Sequence, residues 1–514
     1  AWQSPLFPFL KSTVLSGRQA GGFYLVPTHQ LLRPWGEQTL LAGRPVDMAF
    51  DAEGRILAVL NWDGVDVLDA VSGAALAHVK SKGTSYAGIA FRPGSRELWA
   101  SETTRQAGSI LVTTVSPSGR PGEAERIALK EHPVPTGMAF SSDGARAWVA
   151  LSRDNAVALL DARERKVIRQ IPVGIAPFGV VIAEKQGRVF VSNRGGRRPV
   201  SGDAVAPSSG TEVATDAATG ASKTGTVSVV DLKTFEAREI AVGLAPSMMA
   251  ASPGGALVAV VNSHSDSVSL IDAKSLNVTT VAIPAWPEKT LGSQPSAVAF
   301  APSGDRLYVA CGGTNAVVVL GRAAGRWTVQ GAVPTGWFPS AIALDASGAL
   351  RVLNIKGLGN TTRAKGGFNS RSFEGSLLKI APPTAPQLAA GLREVRAANE
   401  PRFDPAGGVE TLSSLGVKHV VLIIKENRTY DQVFGDIAKG NGDPKLVMYG
   451  RDVTPNHHAL AEQYVLLDNF YTGGAISFDG HQWLMQSFVS DYVERAFSAS
   501  PRGYAWNMAD ALTV

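Results

Sequence analysis

From about residue 40 to residue 384 the chain alternates apolar and polar positions in short runs, and the runs recur as one phrase. Its fullest copies are RPVDMAFDAEGRILAVLNWDGVDVLD from Arg44, VPTGMAFSSDGARAWVALSRDNAVALLD from Val134 and QPSAVAFAPSGDRLYVACGGTNAVVVL from Gln294. Weaker copies begin at Ser85, Ala176, Ala245 and Phe338, making seven. Each copy reads as an alternating strand, a Gly-containing turn such as DAEG or APSG, a second strand, a polar Asn or Asp turn, and a third strand ending near Asp. A fourth strand follows in links such as IALKEHPV and REIAVG. The matching positions Pro45, Tyr86, Pro135, Pro177, Pro246, Pro295 and Pro339 stand 41 to 49 residues apart, except for one interval of 69. Four strands at that period predict propeller blades. The long interval holds the Gly-, Ser-, Ala- and Thr-rich RGGRRPVSGDAVAPSSGTEVATDAATGASKTG, which predicts a loop inserted in blade four.

These phrases resemble YVTN-type β-propeller repeats over about residues 40 to 384, with VFVSN and LYVACGGTNAV nearest to the family phrase. The resemblance implies an all-β seven-bladed propeller spanning residues 1–384. The early segment GFYLVPTHQLLRPWGEQTLLAG is expected to supply the outer strand that completes blade seven and removes the open edge. Aromatic and Asp positions within the repeats read as blade packing and turn chemistry. Two loops break the repeat, the blade-four insertion and NIKGLGNTTRAKGGFNSRSFEG from Asn354. Their Arg194, Arg197, Arg198, Lys356, Arg363, Lys365 and Arg371 either line a face that binds an anionic group or belong to solvated loops.

Past Ala381 the pattern changes. Residues 385–416 read as a linker with a helix-like centre and Pro and Gly at both ends. In VKHVVLIIKEN a continuous β-branched run then predicts a strand covered on both faces, as in a parallel sheet, so residues 417–514 read as a partial α/β domain. Thr429 or Asn427 caps a short helix after it, which puts Glu426 and Asn427 at the strand's carboxyl end, where ligands bind in open α/β sheets. Further on, the chain predicts a helix from about Pro455, a second buried strand YVLLDNFY, a Gly-Gly loop and a helix opening near Ser477. Leu484, Phe488, Val489, Tyr492 and Val493 make an apolar stripe on that last helix.

A helix N-terminus offers unpaired N–H groups and partial positive charge, which suit an oxyanion and lower the cost of ionising a hydroxyl. Ser477 there reads as a metal-activated nucleophile or, equally in keeping with Asp479 in the first turn, as part of a helix cap. HVVLIIKENRTYDQVFG resembles the opening motif of the phosphoesterase family that includes bacterial acid phosphatases and phospholipases C, within the alkaline-phosphatase superfamily, and LLDNFYTGGAISFDGHQW resembles its nucleophile segment. The resemblance implies a divalent metal held by Glu426, Asn427 and Ser477, Ser477 as the residue phosphorylated, and Arg428 and Asp431 fixing the motif's turn. His481, one turn behind Ser477, is the candidate to contact phosphate or protonate a leaving group, whereas His457 and His458 read as surface or packing residues.

Catalytic domains of that superfamily need further acidic and histidine ligands from later strands. The expectation is therefore a continuing polypeptide, a second chain that completes the sheet, or an inactive remnant. Two functions stand open: a metal-dependent phosphoesterase hydrolysing phosphate esters through a phosphoseryl intermediate, its propeller gating or recruiting substrate, or a non-catalytic binding and scaffold propeller.

Charge and composition narrow this modestly. The 514 residues carry net +5 with 18% charged residues, a mild bias towards anionic ligands and no case for nucleic acid. A single cysteine, Cys311, excludes an intramolecular disulfide. The start at Ala1 is what a removed signal peptide would leave, so a secreted or periplasmic location is expected. No apolar run is long enough for a membrane helix, so no integral membrane segment is expected.

Overall fold

The computed structural model describes residues 15–83, 85–104, 106–130, 133–287, 292–359, 374–400, 414–468 and 470–496. Between residues 37 and 380 they form seven four-stranded antiparallel sheets, numbered here in chain order. Their first strands are Asp47–Phe50, Ile89–Phe91, Pro135–Phe140, Ile175–Ala183, Pro246–Ala251, Pro295–Phe300 and Pro339–Leu344. Each touches the next, and Pro339–Leu344 touches Asp47–Phe50, so the sheets close into a propeller-like ring. Sheet seven takes its outermost strand from far back in the chain: Glu37–Ala42 pairs antiparallel with Glu374–Ile380, Glu374 opposite Ala42 and Lys379 opposite Glu37. This is the closing strand expected from the early segment. The blade-four insertion, expected as a loop, carries a hairpin of its own, Ala204–Ser208 with Thr211–Thr215.

Local chemistry accounts for the repeat. The glycine of the first turn takes a left-handed backbone, φ 65° at Gly144 and 75° at Gly304, which a residue without Cβ adopts freely. The third strands of sheets one, three, four and five end at an Asp whose carboxylate accepts the next N–H groups. Asp161 accepts from Arg163 and Glu164, and Asp272 from Lys274 and Ser275, which holds both carboxyls below the usual range. The polar turn after the second strand serves the next sheet. Asn155, Asp266 and Asn315 are left-handed and accept N–H bonds from Ala176, Gln294 and Phe338, each just ahead of the following sheet's first proline. Hydroxyls complete the seams, Ser296 donating to the Pro339 carbonyl at 2.6 Å and Ser340 to that of Pro45 at 3.2 Å.

Valine, leucine and isoleucine of the middle strands fill the spaces between sheets. Leu57, Val59, Leu353 and Leu377, for example, join sheets one and seven around Leu41 of the closing strand. Fully burying such a side chain contributes roughly 1.5–3 kcal/mol. Cys311 is buried in this packing, and burial pushes its thiol up.

Beyond the ring, Ala385–Asn399 forms a helix, capped by Thr384 with Gln387, that lies on the Arg326–Pro334 strand of sheet six and buries Leu388 and Val395. The linker's expected helix-like centre is thus part of the ring's outer packing.

The expected parallel sheet is not formed among the described residues beyond the ring. Among the described residues from 414 onward there is no strand. Val420–Ile423 of the supposed central strand are 60 to 86% exposed, and Val465 and Leu467 of YVLLDNFY are also exposed. A strand buried on both faces needs neighbours on both edges, and among the described residues no strand pairs with either segment. The helices are found: Tyr430–Phe434, Pro455–Gln463 and Ser477–Gln486. The last is shorter than its apolar stripe implied. Ser487 turns left-handed at φ 62°, and a separate helix, Asp491–Ala496, follows. Leu484 is therefore exposed while Val489, Tyr492 and Val493 are buried. No described helix is long and apolar enough to cross a membrane.

Candidate functional site

The extended segment before Asn427 ends in a left-handed residue, Asn427 at φ 67°, a conformation asparagine tolerates better than most side chains. The chain then turns into Tyr430–Phe434, where the Thr429 N–H donates to Gln432 Oε1 at 3.1 Å. Arg428 braces the turn by donating to the Asn427 carbonyl at 2.6 Å and the Tyr449 hydroxyl at 3.0 Å, while its guanidinium lies 5.0 Å from the Tyr449 ring centre. Asp431 accepts the Asp443 N–H at 2.7 Å. Both residues do local fastening.

Ser477 is the first residue of its ten-residue helix. Ahead of it, the buried Asp479 carboxylate accepts the N–H groups of Ala475 and Ile476, both at 2.8 Å, so the cap is Asp479's work rather than the serine's. The Gly-Gly loop lies flat on this turn. A Cβ on Gly474 would stand 2.5 Å from the Gly480 nitrogen, and one on Gly473 would meet Trp483. His481 Nδ1–H donates to the Ser477 carbonyl at 2.7 Å and stands 3.4 Å from Glu426 Oε2, and Asn427 Nδ2 donates to Glu426 Oε1 at 3.0 Å.

Glu426, Asn427, Ser477 and His481, about fifty residues apart in sequence, thus line one open cavity of about 700 Å³, walled by Tyr471 and Trp483 and touched by Thr28 from the ring's side. The two remaining histidines lie elsewhere. His458 is buried, with Nε2 2.8 Å from Asp436 Oδ1, Nδ1 at Thr454 and its ring against Phe434, whereas His457 faces Lys425 at 3.1 Å. The hydrogen bond from His458 holds the Asp436 carboxyl below its usual range.

As a metal cage these residues are incomplete. The cavity offers one carboxylate and one imidazole beside a neutral amide and hydroxyl, and among the described residues no group of three or more His, Cys, Asp and Glu converges. Divalent sites normally draw on more such donors.

The basic residues of the two loops have a different fate. Arg194 and Lys356 are 1% exposed, and the anions they meet belong to the chain itself: Arg194 grips Asp491, and Lys356 pairs with Glu494. Arg197 pairs with Asp203 at 2.7 Å, and Arg198 is exposed. Arg363, Lys365 and Arg371 lie outside the described residues.

Sequence reasoning placed Tyr492 and Val493 on the helix that opens at Ser477, and missed that they belong to a separate one, Asp491–Ala496, buried in the mouth of the ring's central channel. Arg495 donates to the carbonyls of Val46, Ser296 and Ser340, at the inner strands of sheets one, six and seven. Tyr492 and Val493 pack with Tyr86, Val134 and Phe178 from sheets two to four, and Gln294 Nε2 donates to the Val489 carbonyl at 2.7 Å. Arg44 completes the set, donating to the Glu494 carbonyl at 2.9 Å and its carboxylate at 3.0 Å. The available signal was the acid pair in SDYVERAF, spaced three apart as on one helix face.

No protein-family model matches the chain, and no curated protein matches it. Among solved structures it is similar to Kuenenia stuttgartiensis hydrazine synthase, with 18% identity, 61% of this chain and 93% of that chain covered, and a TM-score of 0.48. The propeller-like reading rests on the closed ring of sheets.

Proposed function

We propose that the chain is a seven-bladed propeller of the YVTN type joined to part of an alkaline-phosphatase-like phosphoesterase domain, and that its chemistry is the hydrolysis of phosphate esters at Ser477. The observation that supports this is the convergence of Glu426, Asn427, Ser477 and His481 on one cavity, with Ser477 opening a helix. In this reading Ser477 Oγ attacks phosphorus as the ester P–O bond breaks, and the serine's proton passes by way of His481, the imidazole lining the same cavity, to the departing ester oxygen. Water then cleaves the phosphoserine and releases phosphate. The helix N-terminus favours the phosphoryl charge throughout. A divalent ion is proposed from the motif resemblance alone, and none of these steps is routed through it.

The test is turnover of a chromogenic phosphate monoester by the full chain, with and without chelator, beside Ser477→Ala. Turnover by the wild type that vanishes in the variant is expected. Equal rates in both would remove Ser477 from the nucleophile role, and chelator-insensitive turnover would remove the metal.

The second reading, a binding or scaffold ring with a non-catalytic appendage, is favoured by one observation: the channel mouth is occupied by the chain's own helix. It predicts no turnover under any condition.

A further inference from the structure

Three buried cations of the ring converge on the channel mouth. Arg44 precedes sheet one, Arg194 lies near the end of the second strand of sheet four, Arg188–Gly196, and Lys356 follows the second strand of sheet seven. All three are at most 3% exposed, and their carboxylate partners come from one helix outside the ring. Arg194 presents its fork to both oxygens of Asp491, at 2.9 and 2.7 Å, the geometry a guanidinium offers to a carboxylate. Arg44 and Lys356 converge on the two oxygens of Glu494. Asp491 and Glu494 are three residues apart, so the two cationic subsites are separated by about one helical turn, with side chains roughly 5–6 Å apart at Cβ.

A second observation concerns access. A cavity of about 730 Å³ beside the helix is lined by His264, Trp337, Phe488 and Glu494 among others, so open space reaches the helix at the acid that Arg44 and Lys356 hold. His264 Nε2 is buried there without a hydrogen-bond partner among the described residues.

We propose that the channel mouth is a binding site for small dicarboxylates, and that Asp491 and Glu494 are its ligand supplied in cis. A dianion whose carboxylates span the two subsites takes the place of the helix's acids, one end in the Arg194 fork and the other between Arg44 and Lys356. This site is independent of the Ser477 cavity and stands whether or not that cavity hydrolyses phosphate esters.

The test uses the full chain as wild type, as Asp491→Asn with Glu494→Gln, and as that pair with Arg194→Gln added. Thermal midpoints are measured with glutarate, with acetate at the same total carboxylate, and with sodium chloride at matched ionic strength. Glutarate is expected to raise the midpoint of the two-site variant by a few degrees, acetate by less, and the effect is expected to disappear when Arg194→Gln is added. The wild type, its site already filled, is expected to shift little. No glutarate shift in the two-site variant, an equal shift with acetate, or a shift that survives Arg194→Gln would each overturn the proposal. Should the two-site variant not fold, Asp491→Asn alone carries the same comparison through the Arg194 subsite, the expected shift again requiring Arg194.

Discussion

Arg194 and Asp491, almost three hundred residues apart, form a two-pronged ion pair in which neither side chain is more than 1% exposed. A buried pair of this kind is costly to break from one side, because the survivor is left charged and dry. Arg194→Met is expected to cost about 3–5 kcal/mol, spent in releasing the helix Asp491–Ala496 or lowering the stability of the whole. Arg194→Met combined with Asp491→Leu is expected to cost far less. Urea denaturation of the singles and the double, with amide exchange across 489–496, separates the outcomes; equal losses in single and double would show that the pair is unimportant.

Acid should release the same helix. Burial pushes the Asp491 carboxyl up, but the charge and hydrogen bonds of Arg194, helped by Arg495 and His264, pull it further down, below its usual value of 3.8. A depressed carboxyl contributes stability above the unfolded-state value and loses it as pH falls through the folded one. Exchange protection of 489–496 is therefore expected to persist from neutrality to about pH 4 and to fail below it. Loss already at pH 6 would contradict this assignment.

His264 has the opposite leverage. Burial first, then the nearby Arg194, pushes its imidazole down to about 4 from 6.5. The unfolded chain then takes up a proton that the folded chain refuses, so stability declines as pH falls from about 6.5 towards 4. His264→Gln is expected to flatten that part of the stability profile, and an NMR titration of the imidazole should give a midpoint near 4.

The closing strand offers a test by alternation. Leu41 is 6% exposed and packs between sheets one and seven, whereas its neighbour Leu40 is 47% exposed. Leu41→Ala is expected to cost about 2–5 kcal/mol through lost burial and the cavity left behind. Leu40→Ala should cost no more than about 0.5 kcal/mol. Comparable losses in denaturant midpoint would mean that the strand's register is wrong.

At the Ser477 cavity, His481→Gln is expected to slow phosphate-ester turnover by about 10² or more if the imidazole moves a proton. His458→Gln should instead lower stability through Asp436 and Thr454 while sparing the rate. A rate drop confined to His458→Gln would reverse the assignment.

The ring was legible because each sheet is built within one repeat. The turn glycines, the Asp that ends four of the seven third strands and the Asn or Asp that clips a following sheet are local chemistry, written within a copy. The closing strand could be inferred because an open ring leaves an unpaired edge. VVLII misled because a β-branched run reports a wish to be covered, while the covering depends on partners that a window of sequence does not contain. Arg194 and Lys356 read either as part of an anion-binding face or as solvated loop residues, yet they are buried against Asp491 and Glu494, 297 and 138 residues away, and no periodicity links such positions. Ser487 hid the break between the last two helices, since nothing in its side chain announces a left-handed backbone. The four residues of the cavity were named from motifs, whereas their meeting in space came only with the folded chain.

The strand Glu37–Ala42 has one more consequence, in time rather than in space. Made from the N-terminus, the chain produces this strand before any of the seven sheets, and its partner Glu374–Ile380 is made last of all the ring's strands. During synthesis the first strand must wait, its edge unsatisfied, until over three hundred further residues have followed. The ring is thus a clasp fastened by its oldest and youngest parts together, and a ribosome stalled before residue 374 would release a molecule that cannot be shut.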